Sequence, residues 1–363
     1  MKAFRYRIAA TALALSFLVV PFLLNAQEEV VREINREFQT NENITLDITN
    51  KFGHVVINDW NEMRITINVK ITVKSKNKEV AEKKQQYINI LFSEDEENII
   101  KIITEIDDRI SEDNSFFRGR SDDFFSIDYT VNMPRNQRIN LYNKYGDVLI
   151  NEIHGKSDIK VKYGDLKAQK LIFDDSKPLS KISVSYGNAN ISKCNWLTIV
   201  SNYSHLNLTE GTAVVIVSKY SDIKMNNVNS IVSEAKFDKY TILKVNNFVT
   251  TAEYTDFEIE FVGQKLDLDV KYGNVTVNNI PNGFENIFID SKYIDIDLNI
   301  AADASYQLDA SVKYGNIDIP KKANIETHNS VTSSTVKGTV GADQNSAAVV
   351  KVSCEYGNVD LDK

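Results

Sequence analysis

Apolar and polar residues alternate along most of the chain, and an aromatic residue interrupts the alternation at regular intervals. Before Tyr163, the apolar residues Ile159 and Val161 alternate with charged residues, and after Gly164-Asp165 the alternation resumes at Leu166. A period of two residues is typical of a half-buried β-strand. Because the phase shifts at the Gly-Asp pair, the pattern predicts two short strands joined by a corner.

This phrase of strand, aromatic residue, corner and strand occurs twelve times. Its aromatic residues are Phe52, Tyr145, Tyr163, Tyr186, Tyr203, Tyr220, Phe237, Tyr254, Tyr272, Tyr293, Tyr314 and Tyr356. From position 145 to position 314 successive copies lie 17 to 23 residues apart, a period typical of solenoid proteins. The sequence therefore predicts an all-β fold, a parallel β-helix or β-solenoid of 17–23-residue coils. The longer gap after Tyr314 predicts one degenerate copy near Thr335.

Stacked coils would place the aromatic residues above one another, about 4.8 Å apart. The residue two positions before the aromatic is often small, as at Ser218 and Ala252, and Lys often stands directly before it. Strand alternation then predicts that the rings point into the core and the lysines point outward. We expect the eleven aromatic residues that follow Phe52 to form a buried structural ladder, in which Tyr220 and Tyr254 bury most of their rings.

The second residue after the aromatic is Asp or Asn in nine of the twelve copies. Both residues hydrogen-bond to their own backbone at turns, so we expect them to stabilise the corners. Stacked carboxylates such as Asp147 and Asp165 also raise the question of calcium. One carboxylate per coil, replaced by Asn, His or Lys in other copies, supplies too few of the six to eight oxygens that Ca²⁺ requires. We expect no metal and no cofactor.

Residues 1–26 predict a secretory signal peptide, with Lys2, Arg5 and Arg7 before an apolar run from Ile8 to Leu24. An uncleaved membrane anchor is the alternative. Removal of these three positive charges would change the net charge from -8 to -11. We therefore expect an exported protein, located in the periplasm, on the outer-membrane surface or outside the cell. The acidic balance disfavours nucleic acid as a partner.

The two cysteines, Cys194 and Cys354, lie many coils apart. At about 4.8 Å per coil their separation is on the order of 40 Å, which is too far for a disulfide. Cys354 has the phase of a core residue, whereas Cys194 is either free or available for an intermolecular bond.

Residues 27–135 predict a smaller α+β region before the β-solenoid repeats of residues 136–363. We expect a strand from Met63 to Val73, a helix from Lys76 to Tyr87 and a strand from Ile99 to Ile106.

The segment from Asp107 to Phe125 combines mixed charge with four phenylalanines. It is either a solvated hairpin loop or a contact loop, because exposed aromatic and arginine side chains are enriched in partner surfaces. The residues of the candidate contact loop are Phe116, Phe117, Arg118 and Arg120.

Four stretches carry a resemblance to a known family. They are KFGHVVINDWNEMRITINVKI (Lys51–Ile71), VNMPRNQRINLYNKYGDVLI (Val131–Ile150), SKYIDIDLNIAADASYQLDASVKYGNIDI (Ser291–Ile319) and the closing EYGNVDL. With the repeats between them, the chain resembles the β-strand-repeat "putative adhesin" family of exported bacterial proteins, whose domain has no known function. The resemblance implies a right-handed β-helix and an association with the cell envelope.

Catalysis has little support in the residue pattern. His54 and His205 occupy the corner position of Asp or Asn, and no Ser, His and Asp set has a recognisable spacing. Some β-helix enzymes cleave polysaccharides with paired carboxylates. The carboxylates that would supply such a pair are Asp267, Asp269, Asp295, Asp297, Asp318 and Asp360. Because acidic residues at outward strand positions ordinarily form a solvated face, we do not expect an enzyme.

We interpret the chain as an adhesin or envelope binding module, since a solenoid offers a long repeated face to an extended partner. The expected partner is an unknown protein or glycan at the cell envelope. An exposed aromatic stripe would favour a glycan, but the outward positions are mostly Lys, Asp, Glu, Asn and Thr. A structural or stress-sensing protein that acts through a membrane partner is the alternative.

Overall fold

A computed structural model describes residues 28–41, 43–94, 98–111, 123–173, 179–321 and 323–361. The signal peptide and the candidate contact-loop residues Phe116, Phe117, Arg118 and Arg120 lie outside these residues, so both remain predictions. The elements before the repeats are β1 (Glu28–Gln39), β2 (Thr45–Lys51), β3 (Val55–Trp60), β4 (Arg64–Ser75), α1 (Lys78–Gln85), β5 (Ile88–Glu94), β6 (Ile99–Ile106) and β7 (Phe124–Pro134).

The repeats form a β-solenoid. Its strands are β8 (Arg138–Lys144), β9 (Val148–Ile153), β10 (Ser157–Lys162), β11 (Leu166–Leu171), β12 (Lys181–Ser185), β13 (Asn188–Asn202), β14 (His205–Lys219), β15 (Asp222–Lys236), β16 (Lys239–Glu253), β17 (Asp256–Ile259), β18 (Val262–Ile280), β19 (Asn286–Ile300), β20 (Tyr306–Lys313), β21 (Ile317–Asp318), β22 (Ala323–Asn329), β23 (Ser333–Val340), β24 (Val349–Glu355) and β25 (Val359–Asp360). The solenoid prediction is confirmed.

Each coil has two flat faces that meet at the aromatic residue. The leading face consists of the segments that end just before the aromatic, as in β8, β10 and β12, and the trailing face consists of the segments that follow it, as in β9 and β11. In the middle of the solenoid one strand supplies both. The start of β15 belongs to the trailing face after Tyr220, and its end belongs to the leading face before Phe237.

Neighbouring coils pair in parallel and in register, so that Val215, Val232 and Val249 lie side by side on adjacent strands. Within each strand the inward residues are apolar and buried, such as Ile223 and Met225 in β15. One coil cannot enclose its apolar side alone, but a stack of coils shares one continuous core.

The region before the repeats contributes the first coil. β2 pairs in parallel with β8, and β3 pairs in parallel with β9. β4 lies antiparallel between β1 and β7, and α1 packs against β4 and β1. The predicted helix and the two predicted strands are confirmed as α1, β4 and β6. Because Phe52 belongs to the same stack as Tyr145, the sheet continues across the predicted boundary at residue 135.

The C-terminal coils do not stack in chain order. β24 lies between β19 and β20, and β25 lies between β19 and β21, so the last coil is inserted between two coils that precede it in sequence. The prediction of a degenerate coil at Thr335 is wrong, because Thr335 belongs to the antiparallel hairpin of β22 and β23, which pairs with the edge of β20. The hairpin lies within the 42 residues that separate Tyr314 from Tyr356, a length equal to two coils. The spacing alone therefore resembles that of one additional coil. The hairpin covers an edge that would otherwise expose unpaired backbone groups.

Within the described ranges, no helix has the length and apolar content that crossing a membrane requires.

Candidate functional site

The aromatic residues of the twelve repeats form one continuous column, which we call the aromatic ladder. In spatial order its members are Phe52, Tyr145, Tyr163, Tyr186, Tyr203, Tyr220, Phe237, Tyr254, Tyr272, Tyr293, Tyr356 and Tyr314. Neighbouring ring centroids lie 4.6 to 5.1 Å apart, with ring planes within 20° of parallel. The ladder therefore follows the coil spacing along the whole solenoid.

The ladder lies on the outside of the protein, so the prediction of buried rings is wrong. Tyr220 is 42% exposed and Tyr254 is 47% exposed. The small residues two positions earlier do point inward, as expected, and Ser218 and Ala252 are buried. The space beside these small residues is filled by side chains other than the rings of the ladder. The hydroxyl of Ser218, for example, lies 2.7 Å from the hydroxyl of the fully buried Tyr240.

The backbone conformation explains why the rings turn outward. Every residue of the ladder has a φ angle between 52° and 62°, in the left-handed region that non-glycine residues rarely adopt. This conformation reverses the side on which the side chain emerges, so strand alternation fails at this one position. A left-handed residue costs about 1–2 kcal/mol, and two stacking contacts of about 0.5–1.5 kcal/mol each offset that cost.

The glycine after the aromatic is required for close approach between coils. A Cβ atom on Gly146 would lie 2.0 Å from the carbonyl oxygen of Gly53, and one on Gly164 would lie 2.0 Å from the carbonyl oxygen of Gly146. In the central coils this position is taken by Ser204, Ser221 and other residues whose side chains are buried. The corner thus has two versions, one closed by stacked glycines and one with a buried side chain, which is polar at Ser204 and Ser221 and apolar at Ile294.

Asp238 supplies the most polar version of this corner. Its carboxylate accepts hydrogen bonds from the Ser221 N–H at 2.6 Å, the Ser218 hydroxyl at 2.8 Å and the Lys236 N–H at 2.9 Å. Burial is the largest influence on this carboxyl group and raises its pKa. These hydrogen bonds connect the coil of Tyr220 to the coil of Phe237.

The Asp and Asn residues of the corner hold adjacent coils together. Asp147 Oδ1 accepts from the N–H of Asp165 at 2.9 Å, and Asp165 Oδ1 accepts from the N–H of Asn188 at 2.8 Å. The expected bond between side chain and backbone is therefore present, but it reaches the next coil instead of the residue's own turn. Among the described residues, no group of three or more His, Cys, Asp or Glu side chains is arranged to hold a metal ion.

Lysines flank the ladder on the leading face. The Lys144 ammonium lies 4.5 Å from the ring centroid of Tyr145, and the Lys162 ammonium lies 5.2 Å from that of Tyr163. Such distances allow cation–π attraction. A hydrogen bond to Tyr145 is the main reason that the pKa of Lys144 is raised. Eight of the twelve residues directly before the rings are lysines, and we call these eight the lysine column. They are Lys51, Lys144, Lys162, Lys219, Lys236, Lys271, Lys292 and Lys313.

The chemistry of the ladder follows from which parts of the rings remain exposed. Ring faces are covered by neighbouring rings, so an inner ring cannot stack on a sugar. Ring edges, phenol hydroxyls and lysine ammonium groups remain accessible at an interval of about 5 Å. This arrangement suits an extended partner that lies along the solenoid axis and accepts hydrogen bonds from cations and hydroxyls.

One signal in the sequence points to this exposed ladder. All twelve copies have Tyr or Phe at the corner, and none has Leu, Ile or Val. A buried position tolerates aliphatic residues, whereas β-branched residues are strongly disfavoured in the left-handed conformation.

The carboxylates considered for catalysis separate onto the two faces. Asp267 and Asp269 lie on the leading face, with Asp269 beside Asp290. On the trailing face Asp360 pairs in register with both Asp297 and Asp318, and Asp295 accepts a hydrogen bond from the Asn358 N–H. These side chains are part of the flat outer surface of the sheet.

Both cysteines are free and buried. Burial raises the pKa of the Cys194 thiol to about 12. The alternative of an intermolecular bond at Cys194 has no exposed thiol to support it, since the residue is 2% exposed.

The family model described as Toastrack DUF4097 matches residues 171–362. A search of curated proteins finds no match. A solved structure described as that of a "putative cell adhesion protein" from Clostridium sporogenes shares 10% identity, and the match covers 93% of this chain and 99% of the other. Its TM-score is 0.18, a value too low to support a structural argument.

Proposed function

The chain belongs to the Toastrack DUF4097 family, and from that premise we propose that it is an exported, non-enzymatic binding module of the cell envelope. The proposed binding site is the aromatic ladder with its lysine column, and the proposed partner is an extended acidic glycan. The single observation that supports this proposal is the exposure of a continuous row of rings, most of them with an ammonium group beside them, along one corner of the solenoid.

The geometry favours a repeating linear partner. Each coil offers a similar set of groups, an aromatic ring edge that is a phenol except at Phe52 and Phe237 and in most coils an ammonium group, and parallel coils repeat this set about every 4.8 Å. A polymer with many hydroxyl and carboxylate groups can make the same contact at several coils. Contacts that are weak alone then add through a high effective concentration.

The charge of the site favours an acidic partner. The ammonium groups of Lys144, Lys162 and Lys219 lie 4.5 to 5.3 Å from the centroids of the rings that follow them, on the leading side. Two other lysines of the column are partly neutralised, since Lys236 pairs with Glu253 at 2.7 Å and Lys292 pairs with Glu355 at 3.0 Å. The first coils of the ladder are therefore the proposed strongest part of the site.

A titration of the exported chain with an acidic polysaccharide and with neutral dextran of similar length tests the proposal. We expect calorimetric binding of the acidic polymer alone, weakened by salt as for other exposed charge contacts. Replacement of Lys144, Lys162 and Lys219 by Gln should weaken binding by at least about tenfold, which is about 1.4 kcal/mol.

A matched control separates the ladder from general attraction of charge. Replacement of Lys167, Lys193 and Lys224 by Gln removes the same charge away from the lysine column and should leave binding within about threefold of the original. Equal losses in the two triple variants, or equal binding of dextran, would contradict the proposal. Absence of binding to any acidic polysaccharide in a panel would contradict it as well.

A further inference from the structure

A second surface feature lies on the leading face, away from the ladder. Five valines stand side by side on four adjacent strands, and Trp196 lies at the end of the same group. Val217 is 41%, Val232 49% and Val249 41% exposed. We call this group the valine patch; its members are Trp196, Val200, Val215, Val217, Val232 and Val249. A contiguous apolar patch on a flat sheet is typical of an interaction surface.

The surface on either side of the valine patch is charged, with opposite sign at the two ends. Toward the start of the solenoid lie Lys160 and Lys181, on the strands that precede the patch. Toward its end lie Asp267, Asp269 and Asp290, on the strands that follow it. The leading face therefore runs from basic through apolar to acidic along the solenoid axis.

We propose that this face binds a second copy of the chain, face to face and with the solenoid axes antiparallel. The two-fold axis would lie in the interface, parallel to the strands, between Val215 and Val232. A two-fold interface is self-complementary, so each basic end would lie against the acidic end of the other copy. No arrangement of two parallel copies would give this match of charge.

The in-register pairing of the strands specifies the contacts of this dimer. Counting strands from the axis, Val215 faces Val232 of the second copy, and Lys181, two strands further out, faces Asp267 of the second copy. On the neighbouring column, Lys160 faces Asp290. The usual twist between packed sheets would move Lys181 toward Asp269, which is also acidic.

Two local charges modify this picture without opposing it. Asp158 lies 3.5 Å from Lys160 on its own strand and directly beside Lys181 on the next strand, so Lys160, Lys181 and Asp158 together leave this end with one net positive charge. Glu234 is the strand neighbour of Val217, so it would face Val217 of the second copy next to the two-fold axis, with Lys219 of that copy two residues further along the strand and within reach of its long side chain. The contact of Lys160 is at the end of the face, where ion pairs remain solvated and contribute little, whereas Glu234 needs Lys219 of the second copy as its partner.

The available area is sufficient for a stable dimer. Eight strands from the Lys160 strand to the Asp290 strand span about 38 Å, and the outward residues of each strand span about 18 Å. The face thus offers about 700 Å² per copy, or about 1,400 Å² in total, which is within the range of specific interfaces. The axis would also place both ladders at the same edge of the dimer, although the dimer does not depend on what the ladders bind.

Sedimentation equilibrium of the mature chain tests the dimer. We expect a dimer at concentrations of about 10 µM, typical of an interface of this size. Val232→Glu, which places two further negative charges beside the Glu234 carboxylates at the two-fold axis, should raise the Kd by at least about a hundredfold. Leu243→Glu is the matched control, because Leu243 is 52% exposed at the corner opposite the ladder and should leave the Kd unchanged.

Exchanging the charges of Lys181 and Asp267 tests the contact between the two copies directly. A second substitution would not be expected to restore the dimer if the first had only impaired folding. Lys181→Asp should weaken the dimer about tenfold, and the double variant Lys181→Asp/Asp267→Lys should recover most of that loss. A wild-type chain that stays monomeric at about 0.1 mM would overturn the proposal. A dimer that is equally stable in Val232→Glu, or a double variant weaker than Lys181→Asp, would overturn it too.

Discussion

The rings of Tyr220 and Phe237 stack with their centroids 4.9 Å apart and their planes 5° from parallel, while both residues hold positive φ angles, 52° and 60°. A backbone conformation that is unfavourable for each residue alone is therefore repeated in adjacent coils. Stacking between the rings offsets the cost, and the rings are left at the surface.

Substitutions of Tyr220 separate the two contributions. Tyr220→Phe should change the free energy of unfolding by less than about 0.5 kcal/mol, since Phe237 occupies the same environment. Tyr220→Ala should cost about 1–3 kcal/mol because two stacking contacts are lost. Tyr220→Gly should cost about 1 kcal/mol less than Ala, since glycine adopts the left-handed conformation without strain. Urea denaturation measures all three, and a glycine variant less stable than the alanine variant would refute the assignment of φ.

Gly164→Ala should destabilise the protein by about 3 kcal/mol, because its Cβ would lie 2.0 Å from a backbone oxygen of the adjacent coil. Gly211→Ala is the control. The nearest atoms to its Cβ are the ends of Leu208 and Val228 side chains, at 3.3 Å, so we expect a change below about 1 kcal/mol. Thermal melting of the two variants should differ clearly, and similar midpoints would argue against the stacked-glycine corner.

The pH dependence of stability should report Asp238. Burial raises its pKa in the folded protein above the usual 3.8, so folding favours the protonated form. Its contribution to stability is fully present below the unfolded pKa and is lost as the pH rises through the folded pKa. Relative to Asp238→Ser, the wild type should therefore be more stable near pH 4 than near pH 7. Melting curves across this range check the sign, which would be reversed if the carboxylate were held in its charged form.

Neither cysteine should react with a thiol reagent in the folded protein at neutral pH. Both are buried, and burial raises the pKa of Cys194 to about 12, so the reactive thiolate is scarce. A chromogenic disulfide should detect no thiol under native conditions and two thiols after denaturation. Rapid labelling of one thiol in the native state would show that one of these coils opens.

Removal of calcium should leave stability unchanged. The corner carboxylates Asp147 and Asp165 already accept backbone hydrogen bonds from the next coil, and one carboxylate per coil is a poor ligand set. A calcium site occupied a thousandfold above its Kd would add about 4 kcal/mol. Melting curves with millimolar Ca²⁺ and with chelator should therefore overlay, and a clear rise with calcium would contradict this account.

The sequence by itself determined the solenoid, its coil length and the elements before it. Alternation with a period of two predicts strands such as β4, and a charged stretch without Gly or Pro predicts α1. These features depend on neighbours along the chain, so local patterns report them well. The repeated aromatic residue also identified the ladder, because one residue per coil must stack on its equivalents.

Only the tertiary structure decided which way the ladder faces and in what order the last coils stack. Alternation predicts sidedness only while the backbone stays extended, and at Tyr220 a left-handed φ reverses it. The bonds from Asp147 to the next coil and the insertion of β24 between β19 and β20 depend on pairing between distant segments. Spacing along the chain measures the length of such a segment but not the direction in which it returns.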